Sequence, residues 1–285
     1  MPRPKGLVRT QSILFTIYGD YVYLEDPASE IWTGTLVRLL SELGFSEQAV
    51  RLALSRMTRK GWLVRTRKGN RSYYRLSEKA LGLMQESEKR IFPRWRRNRR
   101  WDGRWHIVTY HLPEKKRGIR DSLKKELSWL GYGSMNHGTW VSPYGAEEEL
   151  KRAVRDLRAE PYVEIFTAVH EGFGNNRQLV SKCWNLEAID ERYQAFLEKY
   201  QPQYESTKKD LKAGSIPDSE CFLERVLLSD EYRKFPFFDP DLPLELLPHG
   251  WKGEQAAILF EDYRDLLAAG AVRFFGEAVS LGRVK

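Results

Sequence analysis

The chain has 285 residues, 41% of them hydrophobic and 30% charged, with a net charge of +8. That is enough for two or three cores at roughly 100–200 residues per domain, and it excludes a disordered or fibrous chain. No apolar run approaches the roughly 20 residues needed to span a bilayer. The charge is uneven: residues 1–100 hold 21 Lys and Arg against 9 Asp and Glu, a net +12, whereas residues 101–285 are net −4. A polyanionic partner, DNA or RNA, is therefore expected for the N-terminal third alone.

The opening, MPRPKGLVRTQSILFTIYGD, has basic residues before a short apolar patch but no small-residue cleavage site, so a secretory signal is not expected. From Thr10 to about Tyr23, apolar residues recur at helical spacing. After the polar piece EDPASE, TGTLVRLLSELG reads as a second helix, with Thr33 or Thr35 to cap it, Leu36, Leu39, Leu40 and Leu43 as its buried stripe, and Gly44 to stop it. In FSEQAVRLALSRMTRKGWL, Ser46 is a good N-cap and Glu47 complements the helix dipole. Val50, Ala53, Leu54 and Met57 make one face; Gln48, Arg51, Ser55 and Arg59 make another, flanked by Arg56 and Lys60. Arg and Gln are the side chains that bridge guanine and adenine edges in a major groove. Two helices joined by a tight turn, the second short and basic, form a helix-turn-helix pattern.

Two strands follow, WLVRT and RSYYRLS, joined by RKGN with Gly69-Asn70 placed for positive φ. A basic hairpin directly after such a helix reads as the wing of a winged helix, with Arg67, Lys68 and Arg71 toward phosphate or a minor groove. Leu52, Tyr73 and Tyr74 are expected in the core or packed under the wing. Ser77 then caps a helix that ends at Pro93. RWRRNRRWDGRW, residues 94–105, carries six Arg and three Trp. Arg94–Arg100 reads either as a basic junction that meets DNA or as a solvated linker, and Trp101–Trp105 as the entry to the next domain.

The middle third alternates WHIVTYHLP, a strand; KKRGIRDSLKKELSWLG, a helix burying Ile119, Leu123, Leu127 and Leu130; YGSMNHGTWVSP, a hairpin turning near His137-Gly138; AEEELKRAVRDLRAE, a helix burying Leu150, Ala153, Val154 and Leu157; and PYVEIFTAV, a strand. This βαββαβ order is that of a ferredoxin-like unit, two helices on one face of an antiparallel sheet. The last third reads as helical: a long helix broken near Pro202, two more helices, and between these the proline-rich segment PFFDPDLPLELLPHGW as an ordered loop against the helices. The expected class is thus α+β, with a winged helix-turn-helix over 1–93, a basic junction and ferredoxin-like domain over 94–175, and a helical C-terminal domain over 176–285.

Catalytic chemistry is not evident. Cys183 and Cys221 stand in no metal or redox spacing and read as reduced, buried thiols. His106, His111, His137, His170 and His249 form no metal motif, and no nucleophile elbow, P-loop or dinucleotide fingerprint is present. A metal-dependent nuclease built on the ferredoxin-like unit is the enzymatic alternative. Its first strand, however, has no carboxylate before Glu114, so no catalytic residue and no metal ligand is assigned. A DNA-binding protein without an effector is the other alternative.

RTQSILFTIYGDYV, LLSELGFSEQAVRLALSRMTRKGWL, RKGNRSYYRLSEKA and the block from WDGRW to WVSP together resemble the PaaX-type repressors of phenylacetate catabolism. The resemblance covers nearly the whole chain. It implies a cytoplasmic, dimeric transcriptional repressor of an aromatic-acid operon, with double-stranded operator DNA as partner and no membrane association. It also implies no cofactor but release by an aryl-CoA thioester such as phenylacetyl-CoA. The DNA-reading role carries onto Gln48, Arg51, Ser55, Arg56 and Arg59, and the wing role onto Arg67, Lys68 and Arg71. A CoA thioester needs cations for its phosphates and apolar walls for its acyl group; Arg104, Arg117, Trp105 and Trp140 are the candidates, with plain core packing as the stronger reading of the two tryptophans.

Overall fold

A computed structural model describes residues 7–91 and 100–282. In chain order the elements are α1 (Leu7–Tyr18), a π-helical turn (Gly19–Tyr23), β1 (Ile31–Trp32), α2 (Thr33–Glu42), α3 (Glu47–Arg59), β2 (Leu63–Lys68), β3 (Arg71–Leu76), α4 (Glu78–Ile91), β4 (Trp105–Tyr110), α5 (Arg117–Trp129), β5 (Gly133–Asn136), β6 (Thr139–Ser142), α6 (Glu147–Asp156), β7 (Val163–Ala168), α7 (Asn176–Cys183), α8 (Leu186–Ala213), α9 (Asp218–Tyr232) and α10 (Gly253–Ser280). The class is mixed α+β, with one three-stranded and one four-stranded antiparallel sheet. The chain divides into two compact units: residues 1–92, 196–234 and 255–285 form one, and 93–195 with 235–254 the other.

In the first unit, α1 buries Ile13, Leu14, Ile17 and Tyr18 at the spacing that made it legible as a helix. The Tyr18 hydroxyl donates to the Tyr74 carbonyl at 2.9 Å, tying α1 to the sheet. Buried Leu36, Leu39 and Leu40 hold α2, while Leu43 is half-buried at its end. Gly44 turns the chain at φ +78°, and Ser46 opens α3 by accepting from the Ala49 amide at 3.3 Å. The expected threonine cap of α2 is not formed. Thr33 donates instead to the Ser72 carbonyl at 2.8 Å, and Thr35 to the Ala278 carbonyl at 3.2 Å. Strand β1, which falls between the polar piece and α2 and was assigned no element in the sequence, pairs with β3 and completes the sheet order β1-β3-β2. In the two-residue turn between β2 and β3, Gly69 has φ +61° but Asn70 does not share the positive φ expected of it. Positive φ at the first turn position alone is the pattern in which glycine is needed only there.

The rest of this core comes from the C-terminal helices. Thr16 of α1 bonds Asp230 of α9 at 3.4 Å and accepts from Arg233 at 2.8 Å, and Ser12 also donates to Asp230. Tyr21 stacks on Phe275 of α10, centroids 4.8 Å apart.

The second unit runs β4-α5-β5-β6-α6-β7, with strand order β5-β6-β4-β7. Helices α5 and α6 cover one face, where Val108, Tyr110 and Trp140 pack with Leu123, Leu127, Leu150 and Val154. Gly138 allows the β5–β6 turn to approach β4 closely, since a Cβ there would stand 2.6 Å from the Tyr110 carbonyl oxygen. The other face is covered too. Trp105, Ile107 and Val141 pack with Leu179 and Val180 of α7 and with Leu242, Leu246 and Leu247. The proline-rich segment packs against helices as expected, Trp251 on Tyr193 of α8 and Phe237 on Trp129 of α5, and its leucines also close this sheet face. The expected helix break moves. It falls at Trp184-Asn185, where Trp184 is extended and Asn185 accepts from the Ala188 amide at 3.2 Å to start α8. Pro202 lies inside α8 at an exposed position, where water can replace the missing backbone bond.

Candidate nucleic-acid interface

On α3, Val50, Ala53, Leu54 and Met57 are fully buried, so the opposite side faces outward. Gln48, Arg51, Ser55, Arg56 and Arg59 are all exposed there. Arg51 is partly committed, its guanidinium meeting Glu47 at 2.6 Å one turn back. An exposed i,i+4 pair of this kind is weak and readily exchanged for another anion. Leu52, expected in the core or under the wing, is 46% exposed; it lies on the outward side because its helical position is opposite Val50 and Leu54. Tyr74 is buried and Tyr73 half-buried, as expected.

The hairpin cations differ from one another. Arg67 is exposed, its Nε bonding the Gly69 carbonyl at 3.0 Å. Lys68 is exposed but pairs with Glu30 at 2.8 Å and lies 5.1 Å over the Tyr73 ring. Arg71 is half-buried, stacked 4.6 Å over Trp32 and donating to the Gly282 carbonyl at 3.2 Å. Glu30 also accepts from Thr66 at 2.8 Å. The Lys68 and Thr66 hydrogen bonds hold its carboxyl below the usual carboxylate range, and the same ion pair raises the Lys68 ammonium above its own. Sequence reasoning missed Glu30, Trp32 and Gly282 as partners of the hairpin. Glu30 precedes a two-residue strand too short for any period, and Gly282 is 211 residues from Arg71.

The four effector candidates are not brought to one place. The Trp105 ring is buried and donates to Asn176 at 3.0 Å on the sheet face covered by α7. Trp140 is buried on the α5–α6 face. Arg104 and Arg117 are exposed, Arg117 standing 4.0 Å from Asp121. Two rings on opposite faces of a sheet cannot wall one acyl pocket. In the first unit, a cleft of about 180 Å³ is lined by Tyr21, Ile31, Trp32, Tyr73 and Phe275, with Glu25, Asp26 and Glu30 around it. Those carboxylates repel CoA phosphates. Trp101 stacks edge-on to Trp105 at 5.1 Å and donates to the Arg104 carbonyl. Of the basic junction, Arg94–Arg99 lies outside the described residues, and Arg100 is exposed.

Glu114, the carboxylate after the first strand of the four-stranded sheet, is exposed and paired with Arg120 at 3.2 Å. Among the described residues no group of three or more His, Cys, Asp or Glu could hold a metal ion, and no helix is long and apolar enough to cross a membrane. Cys221 is buried and Cys183 half-buried, where burial pushes the Cys183 thiol up to about 11.

Comparison with known proteins defines a transcriptional regulator, not an enzyme. The family models "PaaX-like protein", "PaaX protein central Cas2-like domain" and "PaaX-like protein C-terminal domain" match residues 9–80, 98–180 and 184–277. The transcriptional repressor PaaX of Escherichia coli (strain K12) is 31% identical over 269 residues, covering 93% of this chain and 83% of the relative. The chain belongs to the PaaX family. A solved structure, the uncharacterized protein Rv0674 from Mycobacterium tuberculosis, is similar in fold with a TM-score of 0.61 at 23% identity, covering 93% of this chain and 98% of its own.

Proposed function

We propose that the protein is a cytoplasmic, homodimeric repressor that binds operator DNA of a phenylacetate-type catabolic operon and is released by an aryl-CoA thioester such as phenylacetyl-CoA. The observation that carries the DNA-binding part is the outward side of α3, where Gln48, Arg51, Ser55, Arg56 and Arg59 are exposed together against a fully buried apolar side. Those side chains can donate to base edges and phosphates while the buried face fixes the helix. The order α1, α2, turn, α3, β2–β3 hairpin supports reading the first unit as a winged helix-turn-helix, with Arg67, Lys68 and Arg71 on the wing. The order βαββαβ with sheet order β5-β6-β4-β7 supports reading the second as ferredoxin-like.

The effector class rests on the name of the curated relative and on the resemblance of the motifs. Release requires the thioester to bind the DNA-incompetent arrangement more tightly than the competent one, and operator DNA must weaken thioester binding by the same factor. The test is a mobility shift with DNA from upstream of the gene at fixed moderate salt. The expected result is a shifted band that dissolves with phenylacetyl-CoA but not with phenylacetate or free CoA. A band indifferent to every aryl-CoA overturns the effector. No band across several salt concentrations overturns DNA binding.

The basic junction has its own test. Changing Arg96, Arg97, Arg99 and Arg100 to alanine should flatten the slope of log affinity against log salt by about 0.9 for each phosphate that the protein no longer neutralises. An unchanged slope marks the junction as a solvated linker.

A further inference from the structure

Leu52 stands outside the buried apolar side of its own helix. It is 46% exposed on a helix whose apolar packing is made by Val50, Ala53, Leu54 and Met57, each with no exposed surface. At 3.6 residues per turn, positions 48, 52, 55 and 59 fall within roughly 60° of one another, directly opposite that buried side. Leu52 therefore sits mid-stripe, one turn after Gln48 and one turn before Ser55 and Arg56, among exposed polar and cationic side chains. An isolated leucine on a general surface means nothing. A leucine framed by Gln48, Arg51, Arg56 and Arg59 lies on a surface whose charge suits a polyanion, and there a major groove offers one apolar group, the C5-methyl of thymine.

The geometry points to Leu52 as a specificity-determining residue that meets a thymine methyl in each half-site, between the bases met by Gln48 and by Ser55 or Arg56. The assignment rests on the reading of α3 as the DNA-reading helix. It adds to the hydrogen-bonding code of that helix an apolar element, which discriminates thymine from cytosine and from uracil. Polar and charged readers alone do not make that last distinction, because uracil presents the same O4 acceptor.

The experiment selects duplex sites from a randomised pool with the wild-type protein, then replaces each thymine of the enriched site by uracil, one position at a time. Wild type is expected to lose about fourfold in affinity at one thymine per half-site, the equivalent of one methyl group withdrawn from an apolar environment. At that position Leu52→Ala is expected to bind the thymine and uracil duplexes equally, while keeping the wild-type melting temperature. Selection repeated with Leu52→Gln is expected to lose the thymine there. Wild-type indifference to uracil at every position, or an unchanged thymine preference in Leu52→Ala, overturns the assignment while DNA binding stands. Failure of the pool to enrich any sequence overturns the DNA-reading role of α3 itself.

Discussion

Glu30 holds one of the cations that the hairpin would bring to DNA. Lys68 Nζ lies 2.8 Å from its carboxylate, and Thr66 donates to the same side chain. The lysine of this pair is exposed although Glu30 is half-buried, so a phosphate can compete for it, and the pairing should lower DNA affinity without abolishing it. Glu30→Gln is expected to raise affinity about two- to fivefold at 0.1 M salt and to steepen the salt slope by the equivalent of about one neutralised phosphate; titrations of both proteins at several salt concentrations measure it. The partner of Glu30 was not legible in the sequence, and the outward side of Leu52 was legible only from the helical period. Residue type says that a carboxylate or a leucine is present, but its partner is set by chain brought from elsewhere. For Leu52 the helical period does contain the answer, because a residue midway around from Val50 and Leu54 faces outward. Hydrophobicity alone argues the reverse.

At the scale of elements, α3 keeps the side that stabilises the fold apart from the side proposed to meet DNA. Leu54→Ala should cost about 2–5 kcal/mol in urea unfolding, since the side chain is wholly buried. Ser46→Ala should cost about 1 kcal/mol by removing the cap. Arg59→Ala, on the exposed side, should leave stability within about 0.5 kcal/mol and weaken DNA binding instead. Between α9 and α10, Arg273 grips Asp218 with two hydrogen bonds of 2.8 and 2.7 Å and holds its carboxyl below the usual 3.8. A depressed acid stabilises the fold above its unfolded pKa, and that contribution disappears as pH falls through the folded value. Asp218→Asn should therefore flatten the stability profile below about pH 4, read from urea midpoints, and change little in slope near neutrality.

At the scale of the molecule, the C-terminal helices share a core with the N-terminal segment. Ser12 and Thr16 of α1 meet Asp230 and Arg233, and Tyr21 stacks on Phe275. A fragment of residues 1–93 alone should lack a cooperative thermal transition, because the buried sides of α1 and of the π-helical turn after it would meet water at the places now filled by α9 and α10. Circular dichroism of the fragment, compared with the full chain, decides this; a sharp transition in the fragment would show that α1, α2, α3 and the hairpin suffice.

The sequence alone determined the helices and strands whose apolar residues recur at a fixed period: α2, α3, the β2–β3 hairpin, and the β4-α5-β5-β6-α6-β7 order. It also determined the basic bias of the first hundred residues. A period reports that one side of an element is buried and leaves open what buries it. The tertiary structure decided the rest: that two-residue β1 completes the first sheet, that the proline-rich leucines join α7 in closing the second sheet, and that Lys68 and Arg71 have partners within the fold. It also set Trp105 and Trp140 on opposite faces of one sheet. Each of these depends on segments far apart in the chain meeting in space. Local propensity does not encode such meetings; burial of apolar surface and satisfaction of polar groups over the whole fold select them.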